Sequence, residues 1–234
     1  SATIAAAQNM HQAIGFDRGD IVHSAIYGSD HGLLLNALER LGDIGRYRGI
    51  GIVDDSVSDN ELARLHAAGV RGARFNFVRF LTLDQREAEV RRSIARIHEL
   101  GWHARLHVHG DDLLNNSDLL RSIKDVPMVI DHFGHVGFEG GPERPVIRWV
   151  LDKLKHENWW MMVSNGNRDS KMDAGWDHAI PYGKAFIEAA PDRIIWGTDW
   201  PHPQWSKRMM NDAEEVELLY RYVDGDTSLL RKIL

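Results

Sequence analysis

Ile194-Ile195-Trp196-Gly197-Thr198-Asp199-Trp200-Pro201-His202-Pro203 runs from an apolar strand straight into a carboxylate, which two prolines hold in an irregular turn. Proline cannot extend a strand's hydrogen-bond ladder, so the strand ends at Gly-Thr-Asp with Asp199 at its carboxyl end. Open and closed α/β folds both place their chemistry there. Asp199 is therefore the first candidate for a catalytic base or a metal ligand. Its alternative use is to cap the Pro201 turn through an Asx-type bond.

Six more β-rich runs precede this one: residues 21–27, 47–53, 70–77, 102–109, 127–132 and 159–164. Helix patterns lie between them. Residues 30–41 space Leu34, Leu35, Leu38 and Leu41 helically. Ser58 opens a capping-box pattern with Glu61, Leu62, Leu65 and His66 continue that face, and Gly69 stops it. Residues 84–100 repeat the scheme with Val90, Ile94, Ile97 and Leu100. The alternation, without a composition break, predicts one domain over 1–234 with a mainly parallel sheet. Polar residues at nearly every strand exit favour a (β/α)8 TIM barrel over an open sheet. Seven strands do not close that barrel in its usual geometry, so the expected fold is distorted or incomplete, its first strand preceding Ser1. A helix at 3–14 suits the place directly after such a strand. The helical run at 218–234 ends without a cap signal, so the chain is expected to lack its extreme C-terminus too.

The 28 basic and 34 acidic residues leave a charge of −6 over 234 residues, which gives no positive field for nucleic acid. No cysteine is present, so chemistry must use His, carboxylate, Arg or hydroxyl groups. No apolar run approaches a membrane span, and the expectation is a soluble cytoplasmic protein without a membrane partner, compatible with a homo-oligomer.

Laid side by side, the strand exits bring forward Tyr27 and Ser29, Arg74 and Asn76, His107 and His109, His132 and His135, Ser164 and Arg168, then Asp199 and His202. Guanidiniums, imidazoles and one carboxylate suit an anionic small molecule, because arginine holds a carboxylate through paired hydrogen bonds. His132 is placed to polarise a carbonyl or bind metal; its alternative is satisfaction by Asp131 or a backbone carbonyl. His107 and His109 alternate by two and share a strand face, like two ligands of a metal site. Arg74 shares a face with Gly72 and Asn76, whereas Arg71 and Arg79 fit surface cations. Arg168 either binds substrate or pairs with Asp169 or Asp173. The hydroxyls of Ser24, Ser164 and Thr198 lie in no nucleophile-elbow sequence, and the glycines at 134, 137, 140 and 141 form no phosphate-binding fingerprint.

Asp131-His132-Phe133-Gly134, together with Trp196-Gly197-Thr198-Asp199-Trp200-Pro201-His202-Pro203, resembles the amidohydrolase-related superfamily, within it the branch of 2-pyrone-4,6-dicarboxylate hydrolase-like lactonases. Residues 56–62 and 68–78 are also similar, so the resemblance spans nearly the whole chain. It implies that Asp199 activates a hydrolytic water, that His132 polarises the lactone carbonyl, and that Arg74 and Arg168 hold substrate carboxylates, with His107, Asn76, Tyr27 and His202 also expected around the substrate. It implies either no cofactor or one divalent ion, zinc or manganese, on His107, His132 and Asp199. The family's His-x-His pair on the first barrel strand has no counterpart here. Phe80 stands for an arginine of the dicarboxylate hydrolase, Ala25 for a nearby serine and His107 for a tyrosine. The expectation is thus a hydrolase of a related small carboxylated lactone. A metal-dependent decarboxylase of an unsaturated or aromatic acid, a sugar-lactone isomerase and a catalytically silent small-molecule binder are the alternatives.

Overall fold

The computed structural model describes residues 2–42, 45–77, 87–203 and 208–234. The expectations attached to Val78, Arg79 and Phe80, and to a helix start at Asp84, lie outside them. The chain divides into two compact units, residues 1–107 with 118–128, and residues 108–117 with 129–234.

The first unit carries α1 (Ile4–Ile14), β1 (Gly19–Val22), α2 (Gly32–Leu41), β2 (Tyr47–Gly51), α3 (Asp59–Ala67), β3 (Val70–Asn76), α4 (Glu87–Glu99) and β4 (His103–His107). Then come α5 (Gly110–Asn115), α6 (Ser117–Ser122) and β5 (Met128–Ile130). The second unit continues with α7 (Pro145–Lys153), β6 (Trp159–Met162), α8 (Ile180–Ala189), β7 (Ile194–Ile195), α9 (Asp212–Tyr222) and α10 (Thr227–Ile233). The strands succeed one another in chain order, and the pairs β1/β2, β2/β3, β3/β4 and β6/β7 are parallel. Successive right-handed β-α-β units give this order in a TIM barrel, and seven strands of an incomplete one lie among the described residues. Among the described residues, no helix is long and apolar enough to cross a membrane.

Packing holds the first unit more than surface charge does. Leu34 and Leu38 of α2 are buried, each contributing about 1.5–3 kcal/mol. An exposed helical pair such as Arg64 with Glu61, at 2.8 Å, contributes only about 0.3–0.5 kcal/mol. Gly49 admits α2 to the sheet, since a Cβ there would lie 2.9 Å from Leu38 Cδ1. Ser58 does cap α3, accepting from the Glu61 amide at 3.2 Å. Only half of the expected capping box forms, however, because the Glu61 carboxylate turns to Arg64 instead.

Several element boundaries differ from expectation. The first run is strand only to Val22, and Ala25–Tyr27 is a 3-10 turn. The expected helix at 218–234 is two helices: Asp224 and Gly225 take left-handed φ of 50° and 75°, and Asp226 then caps α10 by accepting from the Ser228 and Leu229 amides. Upstream, Asn211 and Glu214 form a full capping box for α9. The core of the second unit is aromatic, with Phe133 meeting Phe138, Phe186 and Tyr222 at centroid distances of 5.4, 6.0 and 5.6 Å.

Candidate active site

The second unit gathers three strand exits around one carboxylate. After β7, Asp199 adopts a left-handed φ of 57°. The turn's own needs are met elsewhere: Thr198 Oγ1 accepts from the Trp200 amide at 3.1 Å, and the Asp199 carbonyl accepts from the His202 amide at 2.7 Å. The Asx-type alternative is therefore not taken up. Asp199 Oδ2 instead accepts from Asn165 Nδ2 at 2.9 Å and from Arg168 Nη2 at 2.8 Å. Its Oδ1 lies 3.8 Å from His132 Nε2.

Each partner is placed by local backbone chemistry. Asn165 comes after β6 at φ 62°, a left-handed conformation that asparagine tolerates better than most residues. Arg168 also donates to the Pro203 carbonyl at 3.1 Å. It thus bridges the acid and the turn. Asp169 pairs with His135 Nδ1 at 3.2 Å. His132, Phe133, Gly134 and His135 are four consecutive left-handed residues, an uncommon backbone of the kind that collects at functional sites. It sets the His132 ring so that Nδ1 meets the buried Ser164 Oγ at 2.7 Å, a partner that neither Asp131 nor a carbonyl provides.

Burial alone would raise the Asp199 pKa, but the charge of His132, the Asn165 bond and Arg168 outweigh it and hold the carboxyl below the usual aspartate range. Asp199 is therefore held in its ionised form.

The other expected residues divide between the two units. His202 is buried with Nε2 on Asp212 Oδ1 at 3.1 Å, so it ties the turn to the start of α9. His109 stands at the N-cap position of α5: β4 ends at His107, so the alternation does not carry through to 109. The His109 ring lies 5.1 Å from that of His135, which lies 5.5 Å from His132. Burial and His135 lower the His109 pKa. In the first unit, Asn76 and His107 are in register and share a hydrogen bond of 2.9 Å, Arg74 lies on β3, and Tyr27 is 45 % exposed.

Among the described residues no group of three or more His, Asp or Glu side chains could hold a metal ion. Arg168 already places a cation on Asp199 Oδ2, which disfavours a metal ion on the same carboxylate. Asn165 and Glu215 were not foreseen. Asn165 lies just past a strand end, a position where a polar residue signals a site. Glu215 lies with Leu218, Leu219 and Tyr222 at helical spacing, on a face that buries it.

A family model described as amidohydrolase matches residues 1–234. The 2-pyrone-4,6-dicarboxylate hydrolase of Comamonas testosteroni is 31 % identical over 235 residues, covering 94 % of this chain and 74 % of its own. The 4-sulfomuconolactone hydrolase of Hydrogenophaga intermedia is 30 % identical over 217 residues, covering 92 % and 71 %. A solved structure from Acinetobacter baumannii with citric acid bound superposes with a TM-score of 0.83 at 26 % identity, covering all of this chain and 86 % of its own.

Proposed function

The chain belongs to the amidohydrolase family, and from that premise we propose that it hydrolyses a small carboxylated lactone, with Asp199 deprotonating the attacking water. The observation that carries this reading is one carboxylate held by Asn165 and Arg168 with an imidazole 3.8 Å away. The two named relatives act on lactones that bear carboxylate or sulfonate groups, and the citrate-bound structure holds a carboxylic acid.

Proton positions set the order of steps. With Nδ1 engaged by Ser164 Oγ, it is the Nε2–H of His132 that faces Asp199. That N–H supports the lactone carbonyl and, more strongly, the oxyanion formed when water attacks, which is where stabilisation raises rate. Asp199 takes the proton of the water, the C–O bond of the ring breaks, and the ring oxygen leaves as a hydroxyl by taking that proton from Asp199, which returns to its carboxylate form.

Arg168 has two duties. Without substrate its charge keeps Asp199 a weak base. A substrate carboxylate drawn to Arg168 shares that charge, and Asp199 becomes more basic when there is a lactone to attack.

The test is acid release from pyrone, muconolactone and sugar-lactone substrates by the parent and by Asp199→Asn. Turnover lost in the variant supports the reading. No acid from any class, or an unimpaired variant, would overturn it.

A further inference from the structure

Four residues of α9 face inward together: Glu215, Leu218, Leu219 and Tyr222 are all buried, Glu215 being 1 % exposed. A carboxyl among leucines is costly unless it is neutral or paired. The face packs on the loop that grips the catalytic acid. A Cβ on Gly166 would lie 2.2 Å from Tyr222 Oη and 3.0 Å from Leu218 Cδ2. Gly166 stands between Asn165 and the Asn167-Arg168 pair, so α9 is the backing of the segment that holds Asp199.

The buried polar atoms in this region are unevenly matched. Asn165 Oδ1, Asn167 Oδ1, Glu215 Oε1 and Tyr222 Oη all lack a hydrogen-bond partner. The two amide oxygens only accept, and an ionised Glu215 would add another acceptor and a second negative charge behind Asp199. A protonated Glu215 supplies a donor and no charge.

We propose that Glu215 is a positioning residue, a neutral carboxylic acid that backs the Asn165–Arg168 loop and leaves Asp199 as the single negative charge gripped by Arg168. This rests on the reading of Asp199 as the base. The charged surroundings agree with the geometry. Burial, then Asp199 and Asp212, push the Glu215 carboxyl up to about 8, with Arg168 opposing and Glu214 adding a little; burial and Glu215 raise the Tyr222 phenol in turn. Once Glu215 ionises, Arg168 is divided between two carboxylates and its hold on Asp199 loosens.

The decisive experiment has two readouts. In protein labelled at glutamate carboxyls, infrared spectroscopy at neutral pH is expected to show the carbonyl band of a protonated acid, which fades as pH passes about 8 and is missing from Glu215→Gln. In lactone turnover, Glu215→Ala is expected to lower kcat with KM little changed. Glu215→Gln restores most of that loss and removes the alkaline limb of the pH profile near 8. A parent without the band, or a Glu215→Gln variant that keeps the alkaline limb, overturns the proposal. The infrared readout needs no substrate. A band present in a protein that opens no lactone therefore refutes the lactonase reading, whereas a missing band refutes the role of Glu215.

Discussion

Replacing Arg168 by methionine removes a guanidinium 2.8 Å from Asp199 Oδ2, with the two side chains only 23 % and 20 % exposed. A bare Coulomb figure, at an effective dielectric of about 20 and a charge separation near 4 Å, is about 4 kcal/mol. That overstates the loss, because His132 and Asn165 still favour the anion and solvent enters where the guanidinium was. A charge-assisted hydrogen bond, worth about 1.5–3 kcal/mol, is the closer measure. At about 1.4 kcal/mol for each pH unit, the Asp199 pKa should rise by about one to two pH units. The acid limb of kcat/KM reports the base of the free enzyme. In the parent it should lie below 3.8, the ordinary aspartate value, and in Arg168→Met it should move upward. KM for a carboxylated lactone should rise as well, so the position of the limb is what is read, not the height of the profile. Carboxyl-carbon NMR of labelled aspartate measures the same titration directly. A limb that stays in place, or moves down, would refute the idea that Arg168 sets the strength of the acid.

His132→Asn should lower kcat by about 100- to 1000-fold, the usual loss of one oxyanion donor, while circular dichroism stays that of the parent; an unimpaired kcat would remove His132 from the chemistry. Gly166→Ala should cost about 1–3 kcal/mol through overpacking, and less in a Tyr222→Phe background, where the hydroxyl that would meet the new Cβ is gone; paired melting curves with equal costs would contradict this. Asp199 has a lowered folded pKa, so its stabilisation is present above the unfolded value of 3.8 and is lost as pH falls through the folded value. The gap in Tm between parent and Asp199→Asn should accordingly shrink as pH falls below 3.8. Turnover should survive dialysis against a chelator, with metal well below one per chain by mass spectrometry; stoichiometric zinc or manganese whose removal stops turnover would reverse that conclusion.

The alternation of runs made the seven strands legible because each apolar run is short and punctuated by glycine or proline. Where a run crossed from strand into turn, the residues themselves gave little warning. Ile21–Tyr27 is β-rich throughout, yet the sheet takes it only to Val22, since the 3-10 turn at Ala25 forms with backbone bonds that any residue can make. The run at 102–109 crosses in the same way, β4 ending at His107 and α5 starting at Gly110. Asp199, His132 and Arg168 were legible from strand exits and resemblance. Which way Arg168 turned was not, because nearby Asp169 and Asp173 compete equally on sequence and the choice is made by Pro203 and Asp199 in space. Glu215 was hidden by its chemistry. A carboxylate in an acidic helix such as Asp212–Tyr222 looks solvated until the leucines at its spacing are counted.

Thr198 relieves the Asp199 side chain of any part in shaping its own turn. An asparagine at 199 can keep the turn, and its amide oxygen can still accept from Asn165 and Arg168. The variant should therefore be a folded receptor that has lost only its means of activating water. Immobilised, it would retain a bound lactone that the parent consumes. Incubated with mixtures of small acids and then washed, it could report by mass spectrometry which lactone it favours without that molecule having to be guessed beforehand.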